Sequence, residues 1–331
     1  VMMNSLKNQY KLPIGTVLRG KWHQHQYKII KELGFGANGI VYLVQSSNGY
    51  AALKMSPNSL SIITEVNVLK AFSKVQGSAL GPSLLDVDDW QWKGELVPFY
   101  VMEYIHGRDL LSFVRVKGCS WIGVLLSQLL SDLQSLHEEG WVFGDLKPEN
   151  LIVTENPNRI RCIDVGGTTI KGRAIKEFTE FFDRGYWGLG SRKAEPTYDL
   201  FAVSMIAINL AYPKRFDKHH QGDSLSQLVQ SIRQKQELTK IEPVLIKALQ
   251  GQYKSASEMR RELLHCLSYS RISKRKKEKQ KKQPMNQKIN KNNTTSKQLR
   301  KRKKKGKKLE TLIIILTVAL LYTLYILGQL I

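Results

Sequence analysis

Asp145-Leu146-Lys147-Pro148-Glu149-Asn150 places a carboxylate, an ammonium and a side-chain amide within six residues. The carboxylate can orient an attacking hydroxyl and accept its proton. The ammonium two positions on can neutralise charge on a group in transfer, and the amide oxygen can hold a divalent cation. Together the three suit phosphoryl transfer. Taken singly, Asp145 reads better as a loop cap, so the reading depends on what surrounds the stretch.

Working outward, Leu33-Gly34-Phe35-Gly36-Ala37-Asn38-Gly39-Ile40-Val41 is a glycine-rich turn followed by a β-rich run. Missing side chains there would let backbone N–H groups approach phosphates. Ala51-Ala52-Leu53-Lys54 ends an apolar strand with a lysine, and Glu65 lies in a helical pattern downstream that can hold it. Cys162-Ile163-Asp164-Val165-Gly166 supplies a second carboxylate nineteen residues past Asp145. Alone, Lys54 could be a solvated strand end and Gly34, Gly36 and Gly39 an ordinary hairpin; their order along the chain argues against both.

With these five motifs in series, the chain from about Tyr27 to Leu267 resembles the eukaryotic-like Ser/Thr protein kinases. The resemblance implies an α+β, bilobal protein kinase fold: a β-rich N-lobe to about residue 102 and an α-helical C-lobe over 103–268. It implies ATP with Mg²⁺ or Mn²⁺ as cofactors. Asp145, Lys147, Lys54 and Glu65 would be catalytic, and Asn150 and Asp164 the metal ligands. The ATP site would comprise Leu33, Gly34, Gly36, Gly39, Val41, Ala52, Lys54, Met102, Glu103 and Asp109, with Met102 guarding the pocket and Asp109 near the ribose. Asp199 would steady the catalytic loop from below. Lys147, with its short reach, favours Ser/Thr over Tyr as acceptor. Small-molecule kinases of the aminoglycoside and choline type carry His-Gly-Asp, which Gly144-Asp145 echoes, but Lys147-Pro148-Glu149 argues against them.

Several positions depart from the family pattern. Phe143-Gly144 stands where His-Arg is usual, so a phosphate on the activation segment lacks that arginine. Val165 replaces the phenylalanine of Asp-Phe-Gly, and a large ring and a small side chain thus exchange places with volume kept. No Ala-Pro-Glu is evident, only Lys193-Ala194-Glu195-Pro196, and Gln252 stands where its arginine partner is expected. Losing both members of a buried ion pair strands no charge. The short Lys54–Glu65 connection predicts a helix that lacks its first turns. Thr168, Thr169, Thr179 and Ser191 are candidate autophosphorylation sites.

The patterning predicts strands over Tyr27–Leu33, Gly39–Val44 and Tyr50–Met55, with Phe99 to Tyr104 a buried strand entering the inter-lobe connection. It predicts helices over Ser61–Ser73 and Tyr198–Ala211, and a helical stripe from Ile122 to Leu136 stopped by Gly140. Ser255-Ala256-Ser257-Glu258 reads as a capping box. Cys119, Cys162 and Cys266 show no paired spacing, so neither a disulfide framework nor a zinc site is indicated. His23 and His25 flank Gln24, and with no third ligand in view they are not read as a metal site.

Residues 1–26 read as a lead-in, 27–268 as the kinase domain, 269–310 as a basic juxtamembrane linker and 311–331 as a transmembrane helix. Between Arg271 and Lys308 lie 19 Lys/Arg and one acidic residue, +18 of the chain's +23. Such a segment cannot bury enough surface to fold alone. Thr311 to Ile331 is 21 residues without a charge; as a helix it would span about 31 Å, the thickness of a bilayer core. The preceding lysines would hold the kinase in the cytoplasm as a single-pass, C-terminally anchored protein of the cell membrane. No N-terminal stretch resembles a signal peptide.

The block Lys297 to Lys308 reads as a topology signal that touches anionic lipid. The block containing Lys274, Arg275, Lys276, Lys277, Lys281 and Lys282 could extend the last helix and follow a phosphate backbone without reading sequence, because no aromatics follow Tyr269 there. This layout resembles the small tail-anchored kinases of spore-forming bacteria, whose basic segment binds DNA and stimulates the enzyme. The expected partners are therefore protein substrates, DNA, an anionic membrane and a second copy for phosphorylation in trans. The alternative is a catalytically weak kinase fold that tethers nucleic acid to the membrane.

Overall fold

The computed structural model describes residues 11–36, 39–74, 80–219 and 222–281. Residues 1–276 form one compact unit; within 277–331 only the end of the last helix is described. The 311–331 span, Lys282 and the block from Lys297 to Lys308 lie outside the described residues.

The N-lobe is a sheet with one helix on it. Strands β1 (Val17–Arg19), β2 (Gln26–Gly36), β3 (Gly39–Ser46), β4 (Gly49–Met55), β5 (Leu84–Trp92) and β6 (Glu95–Glu103) form an antiparallel sheet in the order β1-β2-β3-β4-β6-β5. Alternation of buried and exposed residues, as in Tyr27 and Ile29 against Gln26 and Lys28, puts one face of β2 in the core. Part of the expected lead-in belongs to this sheet: β1 pairs with β2, and Leu12 is buried. Helix α1 (Ser59–Lys74) opens on Asn58, whose side-chain oxygen accepts from the amides of Leu60 and Ser61. It retains more than a full turn before Glu65, enough to aim that residue inward.

The C-lobe is helical: α2 (Leu110–Lys117), α3 (Ile122–Glu138), α4 (Pro196–Ala211), α5 (Ser224–Arg233), α6 (Gln236–Thr239), α7 (Glu242–Leu249) and α8 (Ala256–Lys281). Proline at its first position starts α4, and nearly all its residues are buried because it packs on both α3 and α7. The α3 stripe of Leu125, Leu126, Leu129, Leu130, Leu133 and Leu136 is core, as its periodicity implies. Each such leucine contributes about 1.5–3 kcal/mol by leaving water. The backbone turns out of α3 at Gly140, φ +84°. Ser255 accepts from the Glu258 amide, while the Glu258 carboxylate accepts from the Lys254 amide. Helix α8 then runs through Lys281, so the backbone of Lys274, Arg275, Lys276, Lys277 and Lys281 continues the last helix of the fold.

Short pairings complete the C-lobe and carry the site: β7 (Arg108–Asp109) with β9 (Leu151–Val153), β9 with β10 (Ile160–Cys162), and β8 (Trp141–Val142) with β11 (Thr169–Ile170). The β8–β11 pair binds the start of the activation segment to the approach to Asp145.

Candidate active site

Lys54 leaves β4 opposite Tyr100 of β6 and is buried. Its Nζ donates to Glu65 Oε2 at 2.6 Å and lies 3.9 Å from Asp164 Oδ1. Glu65 is held in turn. Tyr100 Oη donates to Glu65 Oε2 at 2.7 Å, and Ser61 Oγ donates to Oε1 at 3.1 Å. Burial pushes the Tyr100 phenol well above its ordinary value and keeps it a donor. Tyr100 and Ser61 went unmarked in the sequence, because neither belongs to a motif.

Between the lobes lies a cleft of about 370 Å³. Leu33, Gly34, Val41, Ala52 and Lys54 line it from the N-lobe, and Met102 and Glu103 from the connection. Asn150 and Asp164 line it from the C-lobe. Ile152, two positions past Asn150, and Ile163, inside the Asp164 motif, complete the apolar lining there, though neither is marked as a site residue by the sequence. Gly36, Gly39 and Asp109 are not among the lining residues. Asp109 is exposed and caps α2, accepting from the Ser112 amide at 2.8 Å. Glu103 turns its carboxylate to Arg161, whose hydrogen bonds hold it below its ordinary value. Its carboxylate is thus committed away from the cleft, and its amide donates to the Ser83 carbonyl at 2.8 Å.

Asp199 organises the catalytic loop. Fully buried, it accepts from the amides of Phe143 at 2.8 Å and Gly144 at 3.0 Å and from His137 Nε2 at 2.8 Å. Gly144 has φ +84°, and a Cβ there would sit 2.5 Å from the Gly167 carbonyl oxygen. A Cβ on Gly167 would sit 2.7 Å from that of Asp145. Glycine at 144 thus lets the catalytic loop and the activation segment meet at backbone distance, the physical reason no arginine stands there. Phe143 and Val165 are both buried in the same core cluster, consistent with an exchange of volumes.

Asp145 and Lys147 are joined by an ion pair, and Asn150 Nδ2 donates to the Asp145 carbonyl at 3.0 Å. Thr179 completes the group: its hydroxyl donates to Asp145 Oδ1 at 3.0 Å and accepts from Lys147 Nζ at 3.1 Å. Its role beside Asp145 carried no signal, since 34 positions separate the two. Of the other acceptor candidates, Thr168 is buried, Thr169 donates to the Gly167 carbonyl, and Ser191 is exposed.

The activation segment supplies its own anchor. Asp183, fully buried, pairs with Arg192 at 2.7 Å and accepts from Tyr198 Oη and the amides of Gly185 and Tyr186. Arg184 donates to the Ser191 carbonyl and Thr197 Oγ1, each at 2.6 Å. Glu195 pairs with Lys193 at 3.1 Å and Arg184 at 3.5 Å, and the Gln252 side chain donates to Gln250 Oε1 rather than reaching the activation segment. The long-range ion pair absent from the sequence is replaced by a local network.

A carboxylate joined to a lysine, a second lysine fixed by a buried glutamate, and an Asn–Asp pair at the edge of an apolar cleft meet in one place. The protein kinase domain family matches residues 27–284. This chain belongs to the protein kinase family. It is 56% identical over 252 residues to the serine/threonine-protein kinase YabT of Bacillus subtilis (strain 168), across 76% of this chain and 74% of that protein, and so falls in the serine/threonine class. It is 31% identical over 151 residues to the serine/threonine-protein kinase cek1 of Schizosaccharomyces pombe (strain 972 / ATCC 24843), covering 43% of this chain but 11% of that protein. In fold it is similar to a structure of vaccinia related kinase 3, with TM-score 0.58 and 18% identity over 82% of this chain and 95% of the other.

Proposed function

We propose that this kinase is a membrane-anchored enzyme that transfers the ATP γ-phosphoryl group to Ser/Thr of protein substrates and of itself, and that DNA or anionic lipid acting on its basic tail regulates it. The observation that carries the catalytic part is the assembled set Lys54–Glu65–Asp164 and Asp145–Lys147–Thr179 around one cleft.

Each residue then has a task its surroundings support. Apolar side chains above and below the cleft receive the adenine, and Lys54, held by Glu65, meets the phosphates. Asp145 accepts the proton of the acceptor hydroxyl, and Lys147 balances the charge of the transferred group. Thr179 keeps the Asp145–Lys147 pair in register. The donor set at Asn150 and Asp164, an amide oxygen and a half-exposed carboxylate, suits a hard, oxygen-loving cation such as Mg²⁺ or Mn²⁺. Bound there, the cation would neutralise phosphate charge.

Membrane anchoring rests on the uncharged 311–331 stretch and regulation on the +18 segment before it. The test is ATP-dependent autophosphorylation of the full-length chain with and without double-stranded DNA or anionic vesicles, across a salt series. A signal lowered about 10²–10⁴-fold by Asp145→Asn is expected. Stimulation by DNA that salt suppresses supports the tail as a DNA sensor, and stimulation by vesicles alone supports a lipid role. Absence of any Asp145-dependent signal would leave a kinase fold acting as a tether.

A further inference from the structure

The N-lobe sheet closes on itself at a place that gathers three metal-binding side chains. Strands β1 and β5 are its two edges, yet Gly20 bridges to Trp90 and the Lys21 amide donates to the Asp89 carbonyl at 2.8 Å. Across this seam, His23 Nδ1 lies 2.6 Å from Asp86 Oδ1 and His25 Nδ1 lies 2.9 Å from Asp86 Oδ2. All three ligand atoms fall within 4.8 Å of one another. The third ligand absent from the local sequence comes from 61 to 63 positions away.

We propose that His23, His25 and Asp86 bind one divalent transition-metal ion of the zinc class, which staples the β1–β2 hairpin to β5. Two imidazoles and a carboxylate select zinc-type ions over Mg²⁺ or Ca²⁺, and three protein ligands leave a fourth position for water. The ion takes the place of the imidazole N–H hydrogens that now face Asp86: a neutral ring carries its proton on Nε2 instead, and a protonated ring releases one proton to solvent as the ion binds. Zinc–ligand bonds of about 2.0–2.1 Å hold tetrahedral ligand atoms about 3.3 Å apart. The 2.6 and 2.9 Å N···O contacts, each to a different Asp86 oxygen, must therefore open by about 0.7 and 0.4 Å, which the exposed imidazoles can do by rotating.

The surroundings support the ligands as a metal site requires. Tyr27 Oη donates to Asp86 Oδ2 at 2.5 Å, and the Val87 amide donates to Oδ1 at 2.8 Å. A register shift between Leu84 and Asp86 in the β5–β6 pairing re-aims Asp86 toward the hairpin. Asp88 grips the loop by accepting from the amides of Trp22 and His23. Gln24 sits between the histidines at φ +63°, the left-handed region, while both Nδ1 atoms face the same carboxylate.

The test uses the full-length chain in detergent without a polyhistidine tag, loaded with Zn²⁺ or Co²⁺ in millimolar Mg²⁺ and passed through a desalting column. One retained equivalent is expected, with a tetrahedral visible spectrum for Co²⁺ and a rise in melting temperature of about 5–10 °C at a hundredfold excess over Kd. The double variant His23→Gln, His25→Gln should lose the equivalent, the spectrum and the rise. Both imidazoles are exposed, so the double variant should match the metal-free parent in melting temperature. Asp86→Asn, which keeps the Tyr27 hydrogen bond, should weaken retention at least about tenfold. No retained metal in the parent, or equal retention and equal thermal response in the double variant, would overturn the proposal.

Discussion

In the catalytic loop, Asp145, Lys147 and Asn150 fall within six positions, and one buried carboxylate, Asp199, sets the backbone ahead of them. The activation segment between Asp164 and Glu195 is instead held largely by itself: Asp183 pairs with Arg192, Arg184 donates to the Ser191 carbonyl and the Ala174 backbone bridges to Lys193, with Thr197 and Tyr198 at the start of α4 adding one contact each. The first region depends on a support from outside itself, and the second folds onto itself. An arginine before Asp145 would tie the two through a phosphate. Here they touch instead through Gly144 and Gly167, backbone against backbone. A third contact joins them where Thr179 sits on Asp145 and Lys147.

The contrast can be broken at graded strength. The largest effect is expected in the N-lobe anchor, which meets the start of the activation segment at Asp164. Glu65→Ala strands the buried Lys54 ammonium and should cost about 3–5 kcal/mol, read by urea unfolding, together with loss of phosphotransfer. The double variant Lys54→Met, Glu65→Leu should recover much of that stability while remaining inactive. Equal instability of the two variants would mean that the pair matters for packing rather than for charge.

Next, Asp183→Ala removes the acceptor of Arg192, Tyr198 and two amides. A loss of about 2–3 kcal/mol is expected, with the activation segment, and not the catalytic loop, losing hydrogen-exchange protection. Protection lost equally in both would erase the distinction drawn here. The smallest effect is expected at their junction. Thr179→Ala should lower kcat about tenfold, as one hydrogen bond's worth of positioning, and Thr179→Ser should restore it. A serine variant as slow as the alanine one would assign the effect to the methyl group.

Legibility followed the distance over which each group acts. Motif residues whose function depends on immediate neighbours, such as Lys147 and Asn150 after Asp145, stand out in the chain, and so do the α3 and α4 helices, whose apolar spacing is local. Tyr100 could be seen as a strand residue but not as the donor to Glu65, because that pairing depends on where α1 packs against β6. Asp109 looked like a ligand contact, yet its position at the start of α2 turns its carboxylate to a cap. Asp183 and Arg192 belong to no motif, and nothing in their spacing says that the segment doubles back.

The chain by itself determined the chemistry on offer: which groups can move a proton, balance a phosphate or hold a cation, and which stretches are strand or helix. These follow from residue type and from periods of two or 3.6, both local. Tertiary structure alone decided which of those groups meet. Lys54 reaches Glu65 because β4 and α1 pack in one register, and Asp199 reaches Gly144 from 55 positions away. The edges β1 and β5 close to bring Asp86 to His23 and His25. Such meetings depend on sheet curvature and on helix packing summed over the whole core, which no short window of sequence contains.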